Sequence, residues 1–539
     1  MKTGRASVWI PWAMALTLRV AVALTVRTPT VLGDEVEYFL AARQPPGHAG
    51  LLSIAYPPLY PAILAAVAGI GSSQTGYLLC RLLSAVVSSA IVPLSQPLWG
   101  PAGLLGGCLV ALLPAGMITS GLLLSENLFA PLLAVWLLGA MRWNGKPSHA
   151  SGLVMGLSAS AAALTRAAGG AVMLATLVMV MLRRNSIGRA ATIMLALAPV
   201  AFYLALRQEN PPQPFNDPLA VVHPHEITRA LSPDLGDLTQ GTLLEPVAAR
   251  LPWPYLFTIV WGGLWCLQYT LYLALGTGGL ALVFLDGRIR RESPGRHAIL
   301  PLLVLSAACI VISANHNLAG EQANQFVRGR YIEPLLPLWF AAALGALATR
   351  SGIQITAWAL PACCLAGIAS LTASQNRAAD FLYPLRSTLL SAQPLARIGM
   401  NVIAGIVLFL VARLMLGRAS KRRLLITAFV GISLLASVLR FHRQHSVADG
   451  LAAPARWLAA HDPQAPIEIV TDGQPSDSLK ASGLWWAVQH IRFFSANPLT
   501  VSPETGAGYS LLMGKQGVVC TGGESTHPSI CLAPREWLP

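Results

Sequence analysis

Apolar runs long enough to cross a bilayer recur through the first 439 residues, and their recurrence restricts the fold more than any motif does. They fall at about 8–26, 77–97, 102–120, 128–141, 151–165, 168–182, 190–206, 262–285, 298–314, 334–349, 353–372, 398–416 and 424–439. A helix rises about 1.5 Å per residue, so roughly 20 apolar residues traverse a hydrocarbon core of about 30 Å. The pattern predicts a polytopic all-α membrane protein with about 13 transmembrane helices. Composition agrees: 11% charged residues and a mean hydropathy of +0.57 leave too few polar groups to keep such a chain in water. Lys2 and Arg5 precede the first run as in a signal peptide, but no small-x-small cleavage site precedes Gly33. A retained signal anchor is expected.

The charges orient the spans. With the N-terminus in the cytoplasm, the inner loops collect 17 basic residues, among them Arg183, Arg184, Arg288, Arg290 and Arg422, against two acidic ones, Asp286 and Glu292. The outer loops of the same register hold 11 basic and 13 acidic residues. Such asymmetry is the positive-inside pattern, and it accounts for the formal charge of +14 without invoking a nucleic-acid partner. An odd number of spans sends the C-terminus outside. The expected location is the bacterial inner (plasma) membrane.

Two regions interrupt this regularity. Residues 1–439 form the expected transmembrane domain. From 440 to 539 charged and polar residues return, and 455–461 followed by 466–470 reads as a helix and a buried strand. A small extracytoplasmic α/β domain is expected there. Cys520 and Cys531 would share its oxidising compartment and close a small disulfide loop. The outer segment 207–252 is acidic and rich in Pro, which suits a lid or an unstructured stretch equally.

Chemistry concentrates in the first outer loop. Gly33-Asp34-Glu35-Val36-Glu37-Tyr38 brings three carboxylates to a membrane face, and Tyr56-Pro57-Pro58-Leu59-Tyr60-Pro61 follows, its prolines favouring a short interfacial helix within 55–71. The acidic stretch reads either as a site or as a solvated loop. Three further polar clusters end up at the same face: Ser125-Glu126-Asn127, Leu164-Thr165-Arg166, and Gln325-Phe326-Val327-Arg328-Gly329-Arg330-Tyr331. Carboxylates opposed by arginines suit an anionic leaving group, because guanidinium holds phosphate bidentately and stays charged. Interfacial snorkelling is the alternative for Arg166 and Arg330. Glu126 lies in an apolar context and requires a partner or a water-filled cavity.

These motifs, in the order Asp-Glu-x-x-Tyr, Tyr-Pro-Pro-Leu-Tyr-Pro, Arg-Leu-Leu-Ser from Arg81, Ser-Glu-Asn-Leu-Phe, Leu-Thr-Arg and Arg-Tyr-Ile-x-Pro-Leu-Leu-Pro, resemble the glycosyltransferase-C superfamily. The nearest branch is the bacterial one of aminoarabinose–lipid A transferases and relatives of protein O-mannosyltransferases. The resemblance covers about 8–439 and implies transfer of a sugar from a polyprenyl phosphate to a lipid, glycan or protein acceptor on the outer face. It implies Asp34 as catalytic base, with Glu35 and Glu126 as further catalytic carboxylates. Arg81, Arg166, Arg328, Arg330 and Tyr331 would hold the donor phosphate, and Tyr38, Tyr56 and Tyr60 the substrates. No cofactor is implied. The carboxylates nevertheless admit a divalent cation on Asp34, Glu126 and Glu35. No Trp-Trp-Asp motif is present: Ala487 follows Trp485-Trp486. The rival function is a multi-span transporter or flippase of a lipid-linked or small solute, although such folds show internal repeats and mid-membrane binding groups. No repeat is visible in this chain.

Overall fold

The computed structural model describes residues 6–25, 34–43, 57–113, 120–182, 189–209, 297–319 and 333–348, helical positions at Cys266 and Thr270, and four strands between 467 and 534. Outside the strands, the described chain is almost wholly helical. Its principal helices are α1 (Ala6–Thr25), α2 (Asp34–Arg43), α3 (Leu59–Ala68), α4 (Ser73–Ser89), α5 (Gly103–Ala111), α6 (Glu126–Gly145), α7 (His149–Thr165), α8 (Gly170–Met181), α9 (Arg189–Glu209), α10 (Ile299–Ala319) and α11 (Leu336–Ala348). Nine of the thirteen expected spans coincide with these helices. The other four, at 262–285, 353–372, 398–416 and 424–439, lie outside the described residues apart from the two helical positions in the first. Among the described residues, two helical stretches are long and apolar enough to cross a membrane unaided, Val8–Thr25 and Ser73–Ala111.

Helix limits follow from local chemistry. Ser72 caps α4, its hydroxyl accepting from the Thr75 amide at 3.2 Å, which satisfies a donor that the first turn leaves open. Ser148 and Ser151 form a reciprocal capping box at the start of α7. Between α4 and α5 the chain advances through short helical pieces, Ile91–Leu94, Gln96–Trp99 and the 3₁₀ turn Gly100–Ala102, and then turns at Gly103 with φ of 66°.

One difference from the sequence reading concerns the acidic stretch. Asp34–Arg43, read as loop, is helical. The physical reason is visible in retrospect. Acidic groups occupy its first turn and Arg43 its last, both favourable to the helix dipole, and good helix formers lie between them. Ten residues bounded by Gly33 and Gln44-Pro45-Pro46 escape a pattern search tuned to spans. The short helix expected within 55–71 is α3.

The main core is built around Phe129, Leu133, Trp136 and Trp143 of α6, together with Trp99, Met155, Leu305 and Trp339. Two of its indole N–H groups find side-chain partners inside it: Trp136 donates to Thr176 Oγ1 at 2.8 Å and Trp339 to Ser306 Oγ at 2.8 Å. Outward faces expose large apolar side chains such as Trp9, Ile10, Leu24, Met194, Phe202 and Val311, the surface a lipid environment requires. A second, smaller cluster of Val36, Tyr38, Phe39, Tyr60, Leu64, Tyr77, Cys80 and Leu123 seats α2 and α3 on α4.

In the C-terminal region β1 (Ile467–Val470), β2 (Leu499–Ser502), β3 (Tyr509–Met513) and β4 (Ile530–Pro534) form one sheet in the order β2-β1-β3-β4. β1 runs parallel to both its neighbours, and β4 is antiparallel to β3, with Cys531 opposite Leu512. The helix expected at 455–461 and Cys520, hence the Cys520–Cys531 disulfide, lie outside the described residues.

Candidate active site

The second cluster brings the sequence motifs together. α4 presents Tyr77, Arg81 and Ser84 at i, i+4 and i+7 on one buried face, and each meets a different element. Tyr77 donates its hydroxyl to Glu35 Oε1 at 3.0 Å. Arg81 donates through Nε to the Gly121 carbonyl at 3.1 Å and through Nη2 to the Val22 carbonyl at 3.3 Å, while its guanidinium lies 5.5 Å from the Tyr77 ring centroid. Val22 belongs to the last turn of α1, where carbonyls lack helical partners and a cation complements the dipole. Ser84 shares a 2.8 Å hydrogen bond with the Tyr60 hydroxyl.

Close approach of these elements depends on a glycine. A Cβ at Gly76 would stand 2.3 Å from the Ala68 carbonyl oxygen and 3.5 Å from Phe39 Cε2, so only glycine lets the first turn of α4 touch the end of α3.

Glu35 heads the stripe Glu35, Tyr38, Phe39 and Ala42 of α2, whose other members are apolar or aromatic, and is completely buried. A carboxylate in such surroundings requires hydrogen-bond donors. Besides Tyr77, its Oε1 accepts from the backbone N–H of Leu123 at 2.6 Å. Leu123 belongs to a buried irregular strap, Gly121–Leu124, that leads into α6. Polar side chains serve this strap in turn: Arg81 at the Gly121 carbonyl, Asn127 Nδ2 at the Leu122 carbonyl (2.7 Å) and Glu35 at the Leu123 amide. Non-helical backbone inside a membrane bundle persists only when its polar groups are satisfied in this way.

The strap delivers Glu126 to the first turn of α6, two residues ahead of the expected span. Glu126 Oε1 meets Arg166 Nη1 at 2.6 Å, both side chains about 5% exposed, and the guanidinium stacks 5.6 Å from the ring centroid of Phe129. Arg166 interrupts the helical path between α7 and α8 in an extended conformation and is followed by the 3₁₀ turn Ala167–Gly169. A Cβ at Gly169 would stand 2.2 Å from the backbone of Ala162, so the turn folds back on α7 only with glycine there. Arg166 is thus buried and paired, not snorkelling. Glu126 has the partner its apolar context demanded.

The remaining expected residues divide. Tyr38 and Tyr60 pack edge to face at 5.2 Å and are almost fully buried, which joins α2 to α3. Burial raises the Tyr60 phenol above its ordinary range, outweighing the opposing hydrogen bond from Ser84, so it stays a neutral hydroxyl. Asp34 is the first residue of α2. Its side chain, and Tyr56, Arg328, Arg330 and Tyr331, lie outside the described residues. Among the described residues no three His, Cys, Asp or Glu side chains gather as a metal site. Tyr77 was missed by the sequence reading, and Ser84 and Phe129, although they close the motifs Arg-Leu-Leu-Ser and Ser-Glu-Asn-Leu-Phe, were given no role there. Their signal was helical spacing from Arg81 and Glu126.

The chain matches no protein-family model, and no curated protein matches it. Among solved structures it is similar to ArnT from Cupriavidus metallidurans in the apo state, with 16% identity over 92% of this chain and 86% of that one at a TM-score of 0.49. It is also similar to the same protein bound to undecaprenyl phosphate, with 16% identity over 92% and 85% and a TM-score of 0.49. Likeness of that degree assigns neither fold nor activity.

Proposed function

We propose that the protein is an integral membrane glycosyltransferase that moves a sugar from a polyprenyl-phosphate donor to a lipid, glycan or protein acceptor on the outer face of the bacterial inner membrane. The observation that carries this reading is convergence. The five described motifs are distant in sequence, yet Glu35, Tyr60, Arg81, Glu126 and Arg166 belong to one continuous set of contacts at one end of the helices. A transporter of lipid-linked or small solutes has no need to gather carboxylates and arginines at one end, and nothing in the geometry favours it.

In this reading Asp34 takes the proton of the acceptor hydroxyl. The acceptor oxygen forms a bond to the anomeric carbon as the bond from that carbon to the phosphate oxygen breaks, and polyprenyl phosphate leaves. Phosphate is already a good leaving group, so the base supplies the main proton-transfer contribution, about 10²–10⁴-fold. Arg328, Arg330 and Tyr331 are assigned to the departing phosphate. Arg81 and Arg166, committed to carbonyls and to Glu126, are assigned to the framework around it. The cytoplasmic N-terminus, the extracytoplasmic C-terminal domain at 440–539 and its disulfide belong to the same proposal.

The test is release of free polyprenyl phosphate from a panel of labelled polyprenyl-phosphate sugars by membranes containing the full chain. Asp34→Asn is expected to lower turnover by at least ~10²-fold with donor binding intact. Near-normal turnover in that variant would sink the assignment of the base and advance the transporter reading.

A further inference from the structure

We infer that Glu35 is a positioning residue: its carboxylate clasps the strap Gly121–Leu124 to α2 and α4, setting the helix on which Asp34 stands against the segment that delivers Glu126. Glu35 Oε1 holds the Leu123 amide and the Tyr77 hydroxyl together, so one oxygen joins three elements. Both donors are neutral, and both act on an anion, which makes each bond stronger than a neutral pair. Asn127 and Arg81 hold the two carbonyls that precede the Leu123 amide, those of Leu122 and Gly121, so the strap has a defined path between α4 and α6.

The consequence for Asp34 is geometric. Consecutive helix positions are about 100° apart around the axis and about 1.5 Å apart along it. With Glu35 locked against the strap, position 34 lies on the flank shared with Tyr38, one turn ahead of it, and its backbone has little freedom to shift. A base must sit within hydrogen-bond reach of the proton it takes, so a loosened α2 removes turnover without removing the base. The clasp is read from geometry alone; only the role of Asp34 rests on the glycosyltransferase reading.

Two measurements on the full chain in nanodiscs separate these layers. Hydrogen exchange of peptides covering 121–125 reads the clasp directly. Glu35→Ala is expected to speed it by about tenfold or more, the factor carried by loss of a charge-assisted hydrogen bond, while Glu35→Gln, which keeps an acceptor oxygen, retains protection. Tyr77→Phe removes one of the two bonds and gives a smaller rise, and it serves if Glu35→Ala does not fold. Kinetics with a prenyl-phosphate sugar read the consequence: Glu35→Ala lowers kcat at constant donor KM, Glu35→Gln recovers most of that loss, and the basic limb and acidic limb of the pH profile stay where the native chain has them. Unchanged exchange in both Glu35→Ala and Tyr77→Phe would overturn the clasp. Loss in Glu35→Gln as deep as in Asp34→Asn, with the acidic limb abolished, would make Glu35 a base and overturn its positioning role. If the native chain transfers no sugar, the functional reading fails alone, and the exchange result still decides the clasp.

Discussion

Glu35 and Glu126 are both carboxylates buried at the same end of the helices, but their direct partners differ in kind. Glu35 accepts at Oε1 from a backbone amide and a phenol, both uncharged, with the Arg81 guanidinium acting on it from nearby. Glu126 receives a guanidinium at 2.6 Å, and the two charges cancel. The difference is one of division of labour. A carboxylate held by neutral donors joins backbone segments and sets their spacing, whereas an ion pair pins two helices at a point and contributes little net charge to its surroundings. Neither means is available at an exposed loop, where water would compete for every donor.

The comparison is broken most severely at the ion pair. Arg166→Ala leaves Glu126 buried without its cation, and loss of about 3–5 kcal/mol is expected, seen as a large drop in detergent thermal stability or in yield. Replacing both partners together, Arg166→Met with Glu126→Leu, should restore most of it, because removing two buried charges at once relieves both desolvation terms. A double variant as unstable as Arg166→Ala would show that the pair does more than cancel itself.

Tyr77→Phe tests the neutral donors. It keeps the ring and its edge contact with Phe39, 5.7 Å between centroids, while removing a donor to an anion, so about 1.5–3 kcal/mol should be lost in chemical unfolding. Equality with Tyr60→Phe would mean that Glu35 is not ionised. Tyr60→Phe breaks a bond between two neutral hydroxyls and should lower the same midpoint by only about 1 kcal/mol. Trp136→Phe, which breaks an interhelical bond to Thr176 well away from the carboxylates, is expected at about 0.6 kcal/mol plus whatever packing the smaller ring forfeits. A loss from Trp136→Phe larger than from Tyr77→Phe would place the critical polar contacts in the main core instead of at the candidate site.

Legibility differs sharply between fold and site. The helices at Ala6–Thr25, Glu126–Gly145 and Ile299–Ala319 could be read from hydropathy because a bilayer accepts few alternatives to a long apolar helix. β1 was legible for a similar reason, as a short β-branched run flanked by turn residues. α2 was not, since its ten residues mix charged and aromatic groups and their stripe appears only once α4 supplies the surface it packs on. Glu126 was legible as a residue needing a partner; that the partner is Arg166, forty positions further on, was not, because the helices and turn between them carry no record of the pairing. Arg81 shows the limit from the other side: the residue was singled out by the Arg-Leu-Leu-Ser motif, but its bonds go to the Gly121 and Val22 carbonyls, and no side-chain pattern announces a backbone acceptor.

Composition and periodicity by themselves therefore determined that the described part of this chain is built of apolar helices, because those properties are sums over many residues and survive local error. Motif order determined which carboxylates and arginines deserved scrutiny. Only tertiary structure decided that the Gly121–Leu124 strap needs Glu35, Arg81 and Asn127, and that Glu126 spends its charge on Arg166. The physical reason is range. Helix formation is governed by neighbours within a turn or two, whereas the state of a buried charge is governed by whichever donor the fold carries to within about 3 Å of it, however far away in sequence that donor lies.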